Sequence, residues 1–228
     1  MIGIIGAMEE EVAALKELIT INKENKILDY TFLIGNVDDK EVVLLQGGIG
    51  KVNAAVCTTL LLTNYDIDYV ITIGSAGGLK QTQEVGDVVI SSGVAFHDFD
   101  CTAFGRKMGE IPGMPVIFEA DKDLIKKAQN ILHKNNIKDS IGLIVSGDQF
   151  ISKLEQTTNI TKYFPEALCG EMEAAAVGQV CYKFNTKFII TRSLSDVFGK
   201  GNSSIQFDEY LKKASKASAK MCIELIKE

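Results

Sequence analysis

The sequence predicts an α/β chain in which a largely parallel sheet carries helices on both faces. Two observations predict it. Strand-like and helix-like segments alternate along most of the chain, and the most apolar strands, Tyr69-Val-Ile-Thr-Ile73 and Lys187-Phe-Ile-Ile-Thr-Arg192, lack the two-residue alternation of a half-exposed sheet.

Met1 to Gly6 reads as a short buried strand, and Glu9 to Thr20 places Val12, Leu15, Leu18 and Ile19 at helical spacing. Tyr30–Ile34 and Glu41–Leu45 flank Asn36-Val-Asp-Asp-Lys40 and predict a hairpin. Lys51–Thr63 is a helix feeding the strand at Tyr69. Val85–Ser91 and Ile141–Val145 are further strands, Asp121–Asn135 and Glu171–Phe184 further helices, and Phe207–Lys227 a closing amphipathic helix.

The 228 residues are 46% hydrophobic and 24% charged, an ordinary globular balance with ample material for a core. Three prolines, no low-complexity stretch and no internal repeat predict one domain over 1–228. Lys plus Arg is 24 against 30 Asp plus Glu, a formal charge of −6 that argues against a nucleic-acid partner. The densest basic group, Lys126, Lys127, Lys134 and Lys138, reads as a solvated helix face. No apolar run has the length of a membrane span, and the apolar start lacks the basic flank of a signal peptide. Five cysteines (Cys57, Cys101, Cys169, Cys181, Cys222), none at paired metal-ligand spacing, predict free thiols in a reducing, cytoplasmic setting.

Three glycine clusters follow strands: Gly3/Gly6, Gly47-Gly-Ile-Gly-Lys51 and Gly74-Ser-Ala-Gly-Gly78. Ligands of α/β sheets gather at the carboxyl ends of strands, so these loops are candidate site walls. Neither phosphate motif holds. A nucleotide phosphate loop needs glycine where Leu45 stands and a hydroxyl where Val52 stands, and Gly3-Ile-Ile-Gly6 lacks the third glycine of the dinucleotide fingerprint.

Carboxylates cluster beside these glycines. Glu9, Glu10 and Glu11 open a helix, where they complement its dipole and where one could face a pocket. Glu171 and Glu173, two apart at the start of a small-residue helix, cannot share one helix face, and either could accept hydrogen bonds from a sugar diol. Asp196, just past the strand ending at Arg192, is a helix cap or a general acid with a raised pKa. His97-Asp-Phe-Asp100 has metal-like letters, but with two histidines in the chain no metal site is expected.

Taken together, Gly3-Ile-Ile-Gly-Ala-Met-Glu-Glu-Glu11, Gly47-Gly-Ile-Gly-Lys51, Thr72-Ile-Gly-Ser-Ala-Gly-Gly78, His97-Asp, Thr102-Ala-Phe-Gly105, Val145-Ser-Gly-Asp148, Glu171-Met-Glu173 and Arg192-Ser-Leu-Ser-Asp196 resemble the 5′-methylthioadenosine/S-adenosylhomocysteine nucleosidases of the purine nucleoside phosphorylase superfamily. The resemblance runs in order over nearly the whole chain. It implies a three-layer αβα fold with a mixed, barrel-like sheet, a homodimer without metal or organic cofactor, and hydrolysis of an adenine N-glycosidic bond in methionine salvage. It further implies that Asp196 protonates adenine N7 with Ser195 holding it, and that Glu11 polarises the attacking water in a network with Ser75 and Arg192. Glu173, paired with Arg192 and ionised, would hold the ribose hydroxyls together with Met172. Gly77, Phe150 and Ile151 would flank the base, and Met8, Ile49, Met172 and Phe207 would line the sugar and 5′ region. Phe104 and Pro112 would reach the site from the neighbouring subunit. The chain departs from the family at Cys101 and over Val197–Ser204.

Two rivals stand beside that reading. A phosphorylase needs cations for its phosphate, yet Thr72-Ile73 precede Gly74-Ser75 where phosphate-binding relatives carry arginine; Arg192 and Lys51 are the remaining candidates. A non-catalytic nucleoside-binding module has no need of both Glu11 and Asp196.

Overall fold

The computed structural model describes residues 1–201 and 203–228; Asn202, within the divergent Val197–Ser204 stretch, lies outside them. The strands are β1 (Ile2–Gly6), β2 (Thr20–Ile27), β3 (Tyr30–Val37), β4 (Lys40–Gln46), β5 (Tyr69–Ile73), β6 (Ser75–Gly78), β7 (Val88–Phe96), β8 (Phe118–Glu119), β9 (Asp139–Ser146), β10 (Ala167–Glu171) and β11 (Lys187–Val197). The helices are α1 (Glu9–Lys16), α2 (Lys51–Asn64), α3 (Lys122–Lys134), α4 (Leu154–Tyr163), α5 (Ala174–Phe184) and α6 (Ser203–Lys227).

All strands join one mixed sheet in the order β2-β3-β4-β1-β5-β11-β6-β10-β9-β7-β8. The apolar strands are buried on both faces because alternate residues enter different cores. Ile5, Val43, Leu45 and Val70 pack with Ala54, Cys57 and Leu61 of α2 and Ala175, Val177 and Cys181 of α5. Their neighbours Ile4, Val42, Leu44 and Ile71 pack with Leu15 of α1, Leu132 of α3 and Leu225 of α6. These are the three layers, αβα.

β11 closes the barrel. Its first half runs parallel to β5, its second half parallel to β6, and its middle pairs antiparallel with β7, so that β6, β10, β9 and β7 return to it. A bulge falls between Leu194, opposite Ala76, and Asp196, opposite Gly77. The extra residue, Ser195, interrupts strict alternation and re-aims the end of the strand.

The structure corrects several expected boundaries. Glu171 ends strand β10 and is not the first turn of a helix, which begins at Ala174. Asp196 lies within β11, which continues to Val197, and not past the end of the strand. The sheet is mixed, with antiparallel pairs β2–β3, β3–β4, β7–β8, β10–β6 and β11–β7. The strand β2 was hidden by its composition, Thr-Ile-Asn-Lys-Glu-Asn-Lys-Ile: it is an exposed edge, and charged side chains there discourage pairing with other chains.

Helix α5 lies close against β7 through Gly178, where an added Cβ would stand 2.4 Å from Val94 Cγ2 and 3.2 Å from Phe188 Cζ. Alanine has the better helix propensity, but the stiff, buried Val94 cannot yield cheaply. Gly178→Ala is therefore expected to lower unfolding stability by about 1–3 kcal/mol in urea titration; a stabilised variant would show that the α5–β7 contact has slack.

Candidate active site

One buried-to-open cavity of about 300 Å³ lies at the carboxyl ends of β1, β5, β10 and β11. The structure brings into it all but two of the residues that the resemblance implies for the site: Met8, Glu11, Ile49, Ser75, Gly77, Phe150, Ile151, Met172, Glu173, Arg192, Ser195, Asp196 and Phe207 all line it. Phe104 and Pro112 do not; they sit on the long β7–β8 connection, where the Phe104 ring is 85% exposed. Glu171 and Gly74, candidates from the local pattern, also form the wall, as do Gly170 and Gln149, which the sequence did not single out.

At its centre is Arg192, 1% exposed on the buried β11. Its Nη2 donates to Glu171 Oε2 at 2.6 Å and stands 3.7 Å from Glu173 Oε2. The expected pairing of Arg192 with Glu173 is present at the longer distance, and Glu171 is the closer partner. The reason is the way the chain passes from β10 into α5. Glu171 accepts from the Glu173 amide at 3.1 Å, from the Ala174 amide at 2.9 Å and from the Ser146 hydroxyl, which in turn accepts from the Ala175 amide at 2.8 Å. It is a carboxylate seated on the amino end of α5, satisfying orphan amides and meeting the positive end of the helix dipole.

Glu173 is left freer. It accepts from the Gly50 amide at 2.9 Å, and burial, then the nearby Glu171, push its carboxyl up to about 7, with Arg192 and the Gly50 amide opposing. The expectation of a carboxylate held firmly ionised is thereby corrected. A raised carboxyl pKa favours the folded state most at low pH, and that contribution is lost as pH climbs from about 4.5 through about 7.

Of the three glutamates opening α1, Glu9 and Glu10 are exposed and Glu11 is buried. Glu11 turns back to accept from the Ala7 amide at 2.8 Å and the Met8 amide at 3.1 Å, the backward reach of a helix N3 glutamate. Burial raises its pKa against the pull of Arg192 and those amides. Arg192 Nε and Nη1 find no hydrogen-bond partner among the described residues.

Asp196 is 2% exposed and accepts from the Ser195 hydroxyl at 2.9 Å. Burial raises its pKa; hydrogen bonding by Ser203 and Ser195 works the other way. The glycines after β5 make room for these groups. A Cβ on Gly74 would lie 2.8 Å from Arg192 Nη1 and 2.9 Å from Glu11 Oε1, and one on Gly77 would lie 3.3 Å from Asp196 Oδ2. Glu11 and Asp196 therefore face glycines three residues apart, separated by roughly 10 Å of extended chain.

The opposite walls are apolar. Phe150 and Phe207 meet edge to face at 5.8 Å over the mouth, beside the half-exposed Ile49. The loop carrying Phe150 is tied to α4 by Gln156, whose Nε2 donates to the Phe150 carbonyl at 3.1 Å and whose Oε1 accepts from the Ser152 and Lys153 amides. Helix α4 was not predicted, and this brace with it. The cavity thus has a floor of buried carboxyls and an aromatic slot, the surroundings for a flat base joined to a polyol.

Among known proteins, the family model described as the phosphorylase superfamily matches residues 1–227, which defines the class. A curated 5′-methylthioadenosine/S-adenosylhomocysteine nucleosidase of Staphylococcus haemolyticus is 47% identical over 227 residues, covering 100% of this chain and 99% of its own. A solved nucleosidase of the same kind from Neisseria meningitidis, in complex with methylthio-immucillin-A, superposes with TM-score 0.94 at 41% identity over 99% of this chain and 98% of its own. Another, from Colwellia psychrerythraea 34H in complex with adenine, gives TM-score 0.94 at 42% identity over 99% and 94%. The chain belongs to the 5′-methylthioadenosine/S-adenosylhomocysteine nucleosidase family.

Arg192→Met removes the charge that offsets three buried carboxyls. We expect a stability loss of about 3–5 kcal/mol at pH 8 that narrows toward pH 5, where protonated carboxyls need no counter-charge. A loss independent of pH in urea titrations would show that Arg192 acts through packing alone.

Proposed function

We propose that this chain hydrolyses the N-glycosidic bond of 5′-methylthioadenosine and S-adenosylhomocysteine, releasing adenine and the 5-thioribose product, and that it also takes 5′-deoxyadenosine. The observation that carries the reading is the pairing, in one cavity, of a buried Asp196, its pKa raised by burial, with a separate carboxyl cluster about Arg192.

Glycosidic cleavage through an oxocarbenium-like state needs a proton for the leaving base and negative charge near the sugar. In the proposed reaction Asp196 gives its proton to adenine N7, and the C1′–N9 bond breaks with its electron pair moving to the base. The water oxygen bonds to C1′ while Glu11 takes its proton, which returns to Asp196 by way of solvent. Raised pKa values suit both groups, one as acid and one as base. Glu173, ionised, accepts from the ribose hydroxyls, so its titration near 7 sets the acid limb of kcat/KM. Met8, Ile49, Met172 and Phe207 bound the sugar and its 5′ group, and Gly77, Phe150 and Ile151 the base.

Phosphate is disfavoured as the attacking group. Lys51 stands outside the cavity, ion-paired to Asp98 at 2.6 Å, and Arg192, the cavity's cation, is committed to Glu171. An entering dianion would also meet Glu11 and Glu173.

We further propose one catalytic domain over 1–228 working as a homodimer in the cytoplasm, in methionine salvage and disposal of a methyltransferase product. Phe104 and Pro112 would close the partner's cavity; the exposure of Phe104, and of Ile49, Val52 and Val56 at helical spacing, supports an interface there. The five free cysteines accord with a reducing compartment.

The test is incubation with 5′-methylthioadenosine with and without phosphate, with products separated by mass. Adenine and free methylthioribose in both conditions are expected, and Asp196→Asn should lower kcat by about 10²–10⁴ while remaining folded. A phosphate requirement with a sugar 1-phosphate product would overturn the role of Glu11; undiminished turnover in Asp196→Asn would overturn that of Asp196.

A further inference from the structure

Three residues with no part in that chemistry meet at one place: the lysine ending Gly47-Gly-Ile-Gly-Lys51, the aspartate of His97-Asp98 and the aspartate of Val145-Ser-Gly-Asp148. Asp98 Oδ2 accepts from Lys51 Nζ at 2.6 Å and from the Asp148 amide at 3.0 Å. Asp148 Oδ1 accepts from the Lys51 amide at 2.8 Å, and its Oδ2 lies 3.8 Å from Lys51 Nζ.

Each contact has a physical reason. Helix α2 starts after Gly50, a residue with no capping side chain, so its first amide is satisfied from another loop by Asp148. Gly50 holds φ at 96°, and a Cβ there would stand 3.2 Å from Asp148 Oδ1. Its own amide is the donor to Glu173. Directly after Asp148 come Gln149 and Phe150 of the cavity wall. None of Lys51, Asp98 and Asp148 lines the cavity themselves, and their side chains are partly solvated.

We infer that Asp98 is a positioning residue: by clamping Lys51 and the Asp148 amide it holds the Gly50 donor on Glu173 and the Phe150 wall in mutual register, so that ribose and base are gripped together. The inference rests on the proposed nucleosidase reading and goes beyond it, since it assigns work to residues that touch neither substrate nor reacting atoms.

The test compares Asp98→Asn, Lys51→Met, Lys51→Arg and the Asp98→Asn/Lys51→Met double variant of the full chain with 5′-methylthioadenosine. Asp98→Asn and Lys51→Met should each raise KM about tenfold, the scale of losing one hydrogen bond to a charged group, with kcat changed by less than about threefold. Lys51→Arg, which keeps the pair, should restore KM, and the double variant should be no worse than either single.

The pH profile separates positioning from simple charge. Facing Glu173 are Glu171 from β10, Arg192 from β11, Glu11 from α1, the Cys57 thiol of α2 and the Gly50 amide. Losing the Gly50 donor moves the acid limb of kcat/KM to higher pH, whereas deleting the Asp98 charge alone moves it lower. An unchanged KM and acid limb, an acid limb moved lower, or a kcat loss that merely follows a falling Tm would overturn the inference. If Asp98→Asn fails to fold, the KM of Lys51→Met and its restoration in Lys51→Arg decide, since loss of the Lys51 charge and loss of the Gly50 donor both move the acid limb to higher pH. If the wild-type chain leaves the nucleoside intact, the nucleosidase reading fails, and dissociation constants of the same variants for the intact nucleoside still decide the clamp.

Discussion

A guanidinium sealed inside a sheet is unfavourable unless opposite charge is sealed in with it. Arg192 is such a group, and the rest of the cavity follows from how its charge is shared. One carboxyl, Glu171, takes the short contact, while Glu173 stands an ångström farther off and Glu11 feels the charge without a direct bond to it. Three acids around one base cannot all be neutralised. Burial raises the proton affinity of Glu11 and Glu173 against the pull of Arg192, and in Glu173 the neighbouring Glu171 adds to it; these are the groups that the proposed chemistry asks to take a proton or to hold hydroxyls.

Backbone geometry decides which acid is which. Glu171 and Glu173 are two residues apart, yet the first ends a strand beneath the amino end of α5 and the second stands at the helix entry. Amides of Glu173 and Ala174 occupy the first, and the single amide of Gly50 reaches the second. The bulge at Ser195 gives a parallel division on β11: Arg192 enters the acidic floor, and both Ser195 and Asp196 line the cavity within the same strand. Structural support and the proposed reactivity thus fall to neighbouring residues of identical or similar chemistry, distinguished by their hydrogen bonds and their distance from Arg192.

Much of this was legible in the sequence. The apolar runs at Tyr69 and Lys187 read as buried strands because both of their faces meet a core; of the three glycine clusters, the one after β5 supplies wall glycines, Gly74 and Gly77, where an added Cβ would crowd Arg192, Glu11 and Asp196, and the one ending at Lys51 contributes Ile49. Other features left no pattern to read. Strand β2 is as polar as a loop, β6 is four small residues, and α4 carries a weak apolar stripe. Glu171 reads from the sequence as the opening of the small-residue helix that follows, whereas it ends a strand, so nothing in the local pattern marks it as the carboxyl closest to Arg192. A bulge shifts register without changing composition, which is why Asp196 was placed past the strand. The individual roles of Glu11, Glu173 and Asp196 were suggested by the resemblance; local pattern alone left each open between a helix charge and a site group.

The division between Glu171 and Glu173 can be observed directly by carbon NMR of the carboxyls in glutamate-labelled protein, titrated from pH 4 to 9. A glutamate resonance with its midpoint at about 7, absent from Glu173→Gln, is the predicted result. A spectrum in which every glutamate titrates within the ordinary carboxylate range, near 4.3, would contradict it, and with it the sharing of one buried guanidinium among three acids.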